Sequence, residues 1–112
     1  MPTQPDTVDR PMQVKALSSE VRLSILRLLS DPKGNFANQW SADPSTEGVC
    51  MSLIAEAIEV TPATMSRHLD ILRRARFITV TRIGKWGHCK RDEAAIRDYL
   101  DWIAKTLDLQ GR

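Results

Sequence analysis

The sequence predicts a mostly helical domain that carries one small antiparallel β-hairpin, and three features of its 112 residues predict it. First, apolar residues recur at helical spacing on both sides of a break at Glu59-Val60. Leu53, Ile54, Ala57 and Ile58 form one face before the break, and Met65, Leu69 and Leu72 form another after it. Second, residues 79–91 hold two runs rich in β-branched and aromatic side chains around Gly84-Lys85, the pattern of a hairpin. Third, residues 61–91 carry eight Lys and Arg against the single acid Asp70, a net +7 in a chain of formal charge +2, which leaves −5 for the remainder.

A helix, a tight turn, a second helix and then a basic hairpin make the arrangement of a winged helix-turn-helix, whose second helix lies in the major groove of DNA. A concentrated basic surface on an acidic body attracts a polyanion, because Lys and Arg displace counterions condensed on phosphates. Double-stranded DNA is therefore the expected partner. A winged helix used only for contacts with other proteins is the alternative. The chain shows no Ser-His-Asp grouping, phosphate loop or HExxH motif, so an enzyme is not expected.

The elements follow in order. Residues 1–10, with Pro2 and Pro5, are expected to form a flexible arm, and residues 11–112 a single DNA-binding domain. Pro11 suits the first turn of a helix. Ser18 or Ser19 caps the next, which has Glu20 in its first turn and Val21, Ile25, Leu28 and Leu29 inward, with Leu26 also apolar. Asp31-Pro32-Lys33-Gly34 ends that helix. Residues 35–48 are polar and without period, yet contain Phe36 and Trp40; they read as a surface loop pinned by two aromatics, or as a partner or effector surface. Val49-Cys50-Met51 reads as a short strand joining the hairpin. Thr61 caps the second helix of the pair, with Pro62 at its first position. Asp92 caps a last helix, residues 92–108, whose stripe of Ile96, Tyr99, Leu100, Ile103 and Leu107 is expected to pack with the first helix across a homodimer interface. There is no apolar run of about 18 residues and no signal-peptide pattern, and the two cysteines lack framework spacing, so a cytoplasmic protein away from membranes is expected.

Three stretches, KALSSEVRLSILRLL, SLIAEAIEVTPATMSRHLDILRRARFI and RIGKWGHCKRDE, resemble the ArsR/SmtB family of winged-helix bacterial repressors across residues 15–107. The middle stretch carries the most specific match, T-x-S-R-H-L-x-x-L. The resemblance implies a homodimer that binds an inverted-repeat operator and leaves it when a small inducer, often a metal ion, binds. The chain departs from the family at both familiar metal sites. Val49-Cys50-Met51 stands where many members have C-V-C, and residues 96–107 contain no His, so no metal ligand set is identified. Glu59 stands at the usual turn glycine, at an expected cost of ~1 kcal/mol. The loop of fourteen residues, 35–48, exceeds the family norm.

Candidate DNA contacts follow from chemistry and position. Thr61 and Thr64 suit phosphates or base edges at the helix start, and Ser66 and Arg67 lie on the outward face. The Arg67 fork matches guanine O6 and N7, with a phosphate contact as the alternative. His68 either joins the interface or steadies the helix pair by a hydrogen bond. Arg82, Lys85 and Trp86 belong to the wing, with Trp86 under the hairpin as the other option. Cys50 and Cys89 are expected to face each other across the sheet, where oxidation to a disulfide or a bridging thiophilic metalloid would form a sensor. His88, Lys90 and Arg91 would then favour the Cys89 thiolate. Packing as small hydrophobes is the alternative.

Overall fold

Short polar side chains close the otherwise unpaired N–H groups at the helix starts. In the computed structural model, which describes residues 8–109, the Asp9 carboxylate accepts from the Met12 N–H at 3.0 Å and opens α1 (Arg10–Ala16). Arg10 therefore lies inside a helix and not in the expected arm; the rest of that arm, residues 1–7, falls outside the described residues. Ser19 caps α2 (Glu20–Leu28), and Asp31 caps α3 (Pro32–Asn35), a single turn. Asp43 caps a second single turn, α4 (Pro44–Glu47). After β1 (Val49–Cys50) come α5 (Met51–Ile58) and α6 (Pro62–Arg74), then β2 (Ile78–Ile83), β3 (Trp86–Arg91) and α7 (Glu93–Thr106). Thr61 caps α6 and Asp92 caps α7, as expected.

Two turns set the geometry of the reading unit. Between α5 and α6, Glu59 adopts φ 65° and ψ 46°, so a non-glycine residue takes the left-handed conformation that the sequence requires there. Gly84 at φ 63° turns β2 into β3, as mirrored hairpin turns demand. The sheet has the order β1-β3-β2, all antiparallel, with β3 in the middle. Gly48, at φ 98°, lets β1 reach its place, since a Cβ there would lie 2.7 Å from the Cys89 carbonyl oxygen.

The core forms where α2, α5 and α6 meet the sheet. Ile25 and Leu29, Ile54 and Ala55, Met65, Leu69 and Leu72, and Phe77 and Ile78 are all buried. The stripe Met65, Leu69 and Leu72 is as expected. On α5 the inward pair is Ile54 and Ala55, whereas Ala57 is exposed: with only eight residues, that helix buries a narrow face. Met51 belongs to α5 and not to the strand, because the chain turns helical directly after Cys50. The first half of α7 docks through Tyr99, whose ring meets Phe77 edge-on at 5.4 Å, a geometry worth ~0.5–1.5 kcal/mol beyond the buried area. Arg10 ties α1 to the same helix, 3.0 Å from Asp98 and 5.1 Å over the Trp102 ring. Further along, Leu100 and Leu107 remain 55% and 60% exposed.

Residues 36–48 are fastened differently from expectation. Phe36 is buried, but Trp40 is 88% exposed and pins nothing to the core. Gln39 takes its place: its Oε1 accepts from the Cys50 N–H at 2.8 Å, and its Nε2 donates to the carbonyls of Ala42 and Gly48 at 2.9 and 3.0 Å. The Ser41 hydroxyl lies 2.9 Å from Nε2 of the fully buried His88, and Lys90 Nζ donates to the Thr46 carbonyl at 3.1 Å.

Candidate nucleic-acid interface

At the start of α6, Thr61 Oγ1 accepts from the Thr64 N–H at 3.2 Å and donates to Thr64 Oγ1 at 3.0 Å. Thr61, Pro62, Ala63 and Thr64 are all exposed, as are Ser66 and Arg67 beyond them. This leaves the positive end of a thirteen-residue helix open to solvent beside a pair of hydroxyls, which suits an approaching phosphate. The wing closes the other side: Arg82, Lys85 and Trp86 line one cleft with Pro62 and Met65. Trp86 is 45% exposed, so it belongs to this outer surface and not to the core.

The basic residues of this segment divide into two groups. Arg73 and Arg74 both bind Asp70, at 2.7 and 3.0 Å, and the Arg73 hydrogen bond first, then the two positive charges, hold the Asp70 carboxyl below its ordinary range. Lys90 serves the Thr46 carbonyl, and Arg91 grips Glu93 through two 2.8 Å bonds while donating to the Leu26 carbonyl at 3.2 Å. Arg67, Arg82 and Lys85 make no ion pair or hydrogen bond with the described residues. These three cations sit on the exposed face of α6 and on the wing, where they remain available to phosphates or base edges.

His68 is placed elsewhere. It is half-buried, and its Nδ1 lies 3.0 Å from Arg22 Nη1 on α2, so the steadying bond runs to α2 and not to the preceding helix. Burial, Arg22 and Arg67, in that order, hold its pKa below the ordinary value of 6.5. Arg22 also donates to the carbonyls of Ala16 and Lys15. The sequence had a signal for it. Residues 22, 25, 26 and 29 share one helical stripe, which places a guanidinium among buried aliphatics. Gln13 on α1, also buried, donates to the Ala75 carbonyl at 3.0 Å and likewise joins α1 to α6.

The two cysteines are not partners. The register sets Val49 opposite Cys89 and Cys50 opposite His88. Residues opposite each other share a face and successive residues alternate, so the two thiols lie on opposite faces of the sheet. Both are free. Burial, with a smaller contribution from Cys50, pushes the Cys89 thiol up to about 12, the reverse of the expected activation. The nearby positive charges are engaged elsewhere, Lys90 with Thr46 and Arg91 with Glu93. Among the described residues no group of three or more His, Cys, Asp and Glu side chains is placed to hold a metal ion, and no helix is long and apolar enough to cross a membrane.

A family model for the helix-turn-helix domain matches residues 17–81. The HTH-type transcriptional regulator YbzH of Bacillus subtilis (strain 168) is 45% identical over 98 residues, covering 87% of this chain and 98% of its own. The chain belongs to the helix-turn-helix transcriptional regulators. Known structures place the regulator's fold more narrowly. An ArsR family transcriptional regulator superposes with a TM-score of 0.68 at 15% identity, over 93% of this chain and 99% of that one. The homodimeric winged helix-turn-helix DNA-binding domain of a Mycobacterium bovis protein gives 0.61 at 21% identity, over 100% and 94%. AntR, an antimony-specific transcriptional repressor, gives 0.55 at 18% identity, over 100% and 99%. The regulator thus has the DNA-binding winged-helix fold of ArsR-family proteins.

Proposed function

We propose that the regulator is a homodimeric repressor that sets α6 of each protomer into successive major grooves of an inverted repeat, about 34 Å apart, and leaves the DNA when a small inducer binds. The observation that carries the DNA-docking part is the set of unpaired cations, Arg67 on α6 with Arg82 and Lys85 on the wing, beside the exposed start of α6. Thr61, Thr64, Ser66 and His68 complete the surface on α6, and Trp86 the wing. The exposed half of α7 supports the dimer, as does the homodimeric Mycobacterium bovis domain of the same fold. AntR, a repressor of that fold, supports repression and a small inducer by analogy of fold alone.

The test is a selection from random-sequence duplex, followed by a salt titration of binding to the selected DNA. The logarithm of the binding constant should fall linearly with the logarithm of salt concentration, with a slope of about −0.9 for each phosphate neutralised. Absence of salt-dependent duplex binding would favour the alternative, a winged helix that contacts only other proteins.

A further inference from the structure

Three hydrogen bonds converge on one side chain between α1 and the reading helix. Arg22 donates from Nε to the Ala16 carbonyl at 2.7 Å, from Nη2 to the Lys15 carbonyl at 3.2 Å, and from Nη1 to His68 Nδ1 at 3.0 Å. A guanidinium has no acceptor, so His68 Nδ1 accepts and the ring's hydrogen sits on Nε2. The described residues offer Nε2 no partner, and none of their buried side-chain nitrogens is left unpaired, so this N–H opens to solvent. It does so from a half-buried position on α6, next in sequence to the exposed Arg67.

We propose that Arg22 is a positioning residue for DNA docking: it holds the His68 ring as the Nε2–H tautomer, so that this N–H donates to a backbone phosphate oxygen of the bound duplex. The inference rests on the reading of α6 as the helix that docks on DNA. The three acceptors are reached from three separate nitrogens, Nε, Nη1 and Nη2, a span that the single Nζ of lysine does not reproduce. The two carbonyls at the end of α1 fix the guanidinium, and the guanidinium fixes the ring. The charged groups facing His68 are Arg22 from α2 and Arg67 from its own helix, and burial first, then these two cations, favour the neutral ring that the contact from Arg22 to Nδ1 needs. A protonated ring would turn an N–H toward the Arg22 N–H and break the contact.

The experiment is a double-mutant cycle in the full-length protein, on the duplex selected by the wild type. Arg22→Gln and His68→Asn should each weaken binding by roughly tenfold, the loss of one charge-assisted hydrogen bond. The double variant should bind no worse than either single one, because Arg22 acts through His68. The midpoint of the His68 titration, followed by NMR, should also rise in Arg22→Gln, which a role confined to the α1 carbonyls would not cause. Should Arg22→Gln prove unfolded by circular dichroism, Arg22→Lys takes its place in the cycle. Losses that multiply to about a hundredfold in the double variant, or a His68→Asn protein that binds like wild type, would overturn the proposal and leave the docking reading standing. A wild type that selects no duplex would overturn both.

Discussion

Arg67 projects from α6 with no acid or carbonyl to hold it, whereas Arg73 and Arg74 two turns later are both spent on Asp70. That contrast predicts different mutational behaviour for residues of one charge. Arg67→Ala should cost ~1–3 kcal/mol and relax the preference at one base pair, if its fork reads guanine. Lys85→Ala on the wing should weaken all sequences alike and reduce the salt slope by about 1. Binding curves on the selected duplex and its single-base variants separate the two, and equal behaviour would make Arg67 a phosphate ligand. The thiols carry a second residue-scale prediction. Cys89, fully buried and with its pKa pushed up to about 12, should stay unmodified by a thiol reagent at neutral pH until the protein is unfolded. Mild oxidant should form no bond between Cys50 and Cys89, which a mass measurement would detect.

Among the elements, α1 is small for the work it does. Its seven residues reach α6 through Gln13 and Arg22's two carbonyl partners, and reach α7 through Arg10. Gln13→Leu keeps the volume but strands the Ala75 carbonyl, and should lower stability by ~1–3 kcal/mol in urea unfolding. The helix pair was legible in the sequence because Thr61, Pro62, Met65, Leu69 and Leu72 agree on a single register over more than two turns. What escaped was of two kinds. Arg22, the partner of the expected His68 bond, occupies a position on the apolar stripe 22-25-26-29, where a reading that collects only hydrophobic residues passes over it. The register of β1 was unreadable for another reason: two residues have no period, and a slip of one moves Cys50 to the opposite face from Cys89. Nor did anything mark Gln39, rather than Trp40, as the fastener of its loop, since amide-to-backbone bonds leave no spacing in a sequence.

For the molecule as a whole, the first half of α7 is docked through Tyr99 while Leu100 and Leu107 stay open to solvent. Sedimentation at micromolar concentration should therefore show about twice the 12.6 kDa chain mass, and a monomer there would remove the model of two half-sites. The separation of charge described at the outset, +7 over residues 61–91 against −5 elsewhere, bears on how the protein meets DNA before any contact forms. With a total of only +2, the long-range pull on a polyanion is weak, but the torque is not. A protomer approaching backwards is repelled, and one approaching with α6 and the wing in front is drawn in. Most fruitful encounters are thus selected by orientation within a Debye length, about 8 Å at physiological salt. Stopped-flow mixing should accordingly show the association rate falling steeply with added salt. Reversing a few acids of the far side to lysine would raise the net charge, yet increase the share of collisions that land the wrong way round.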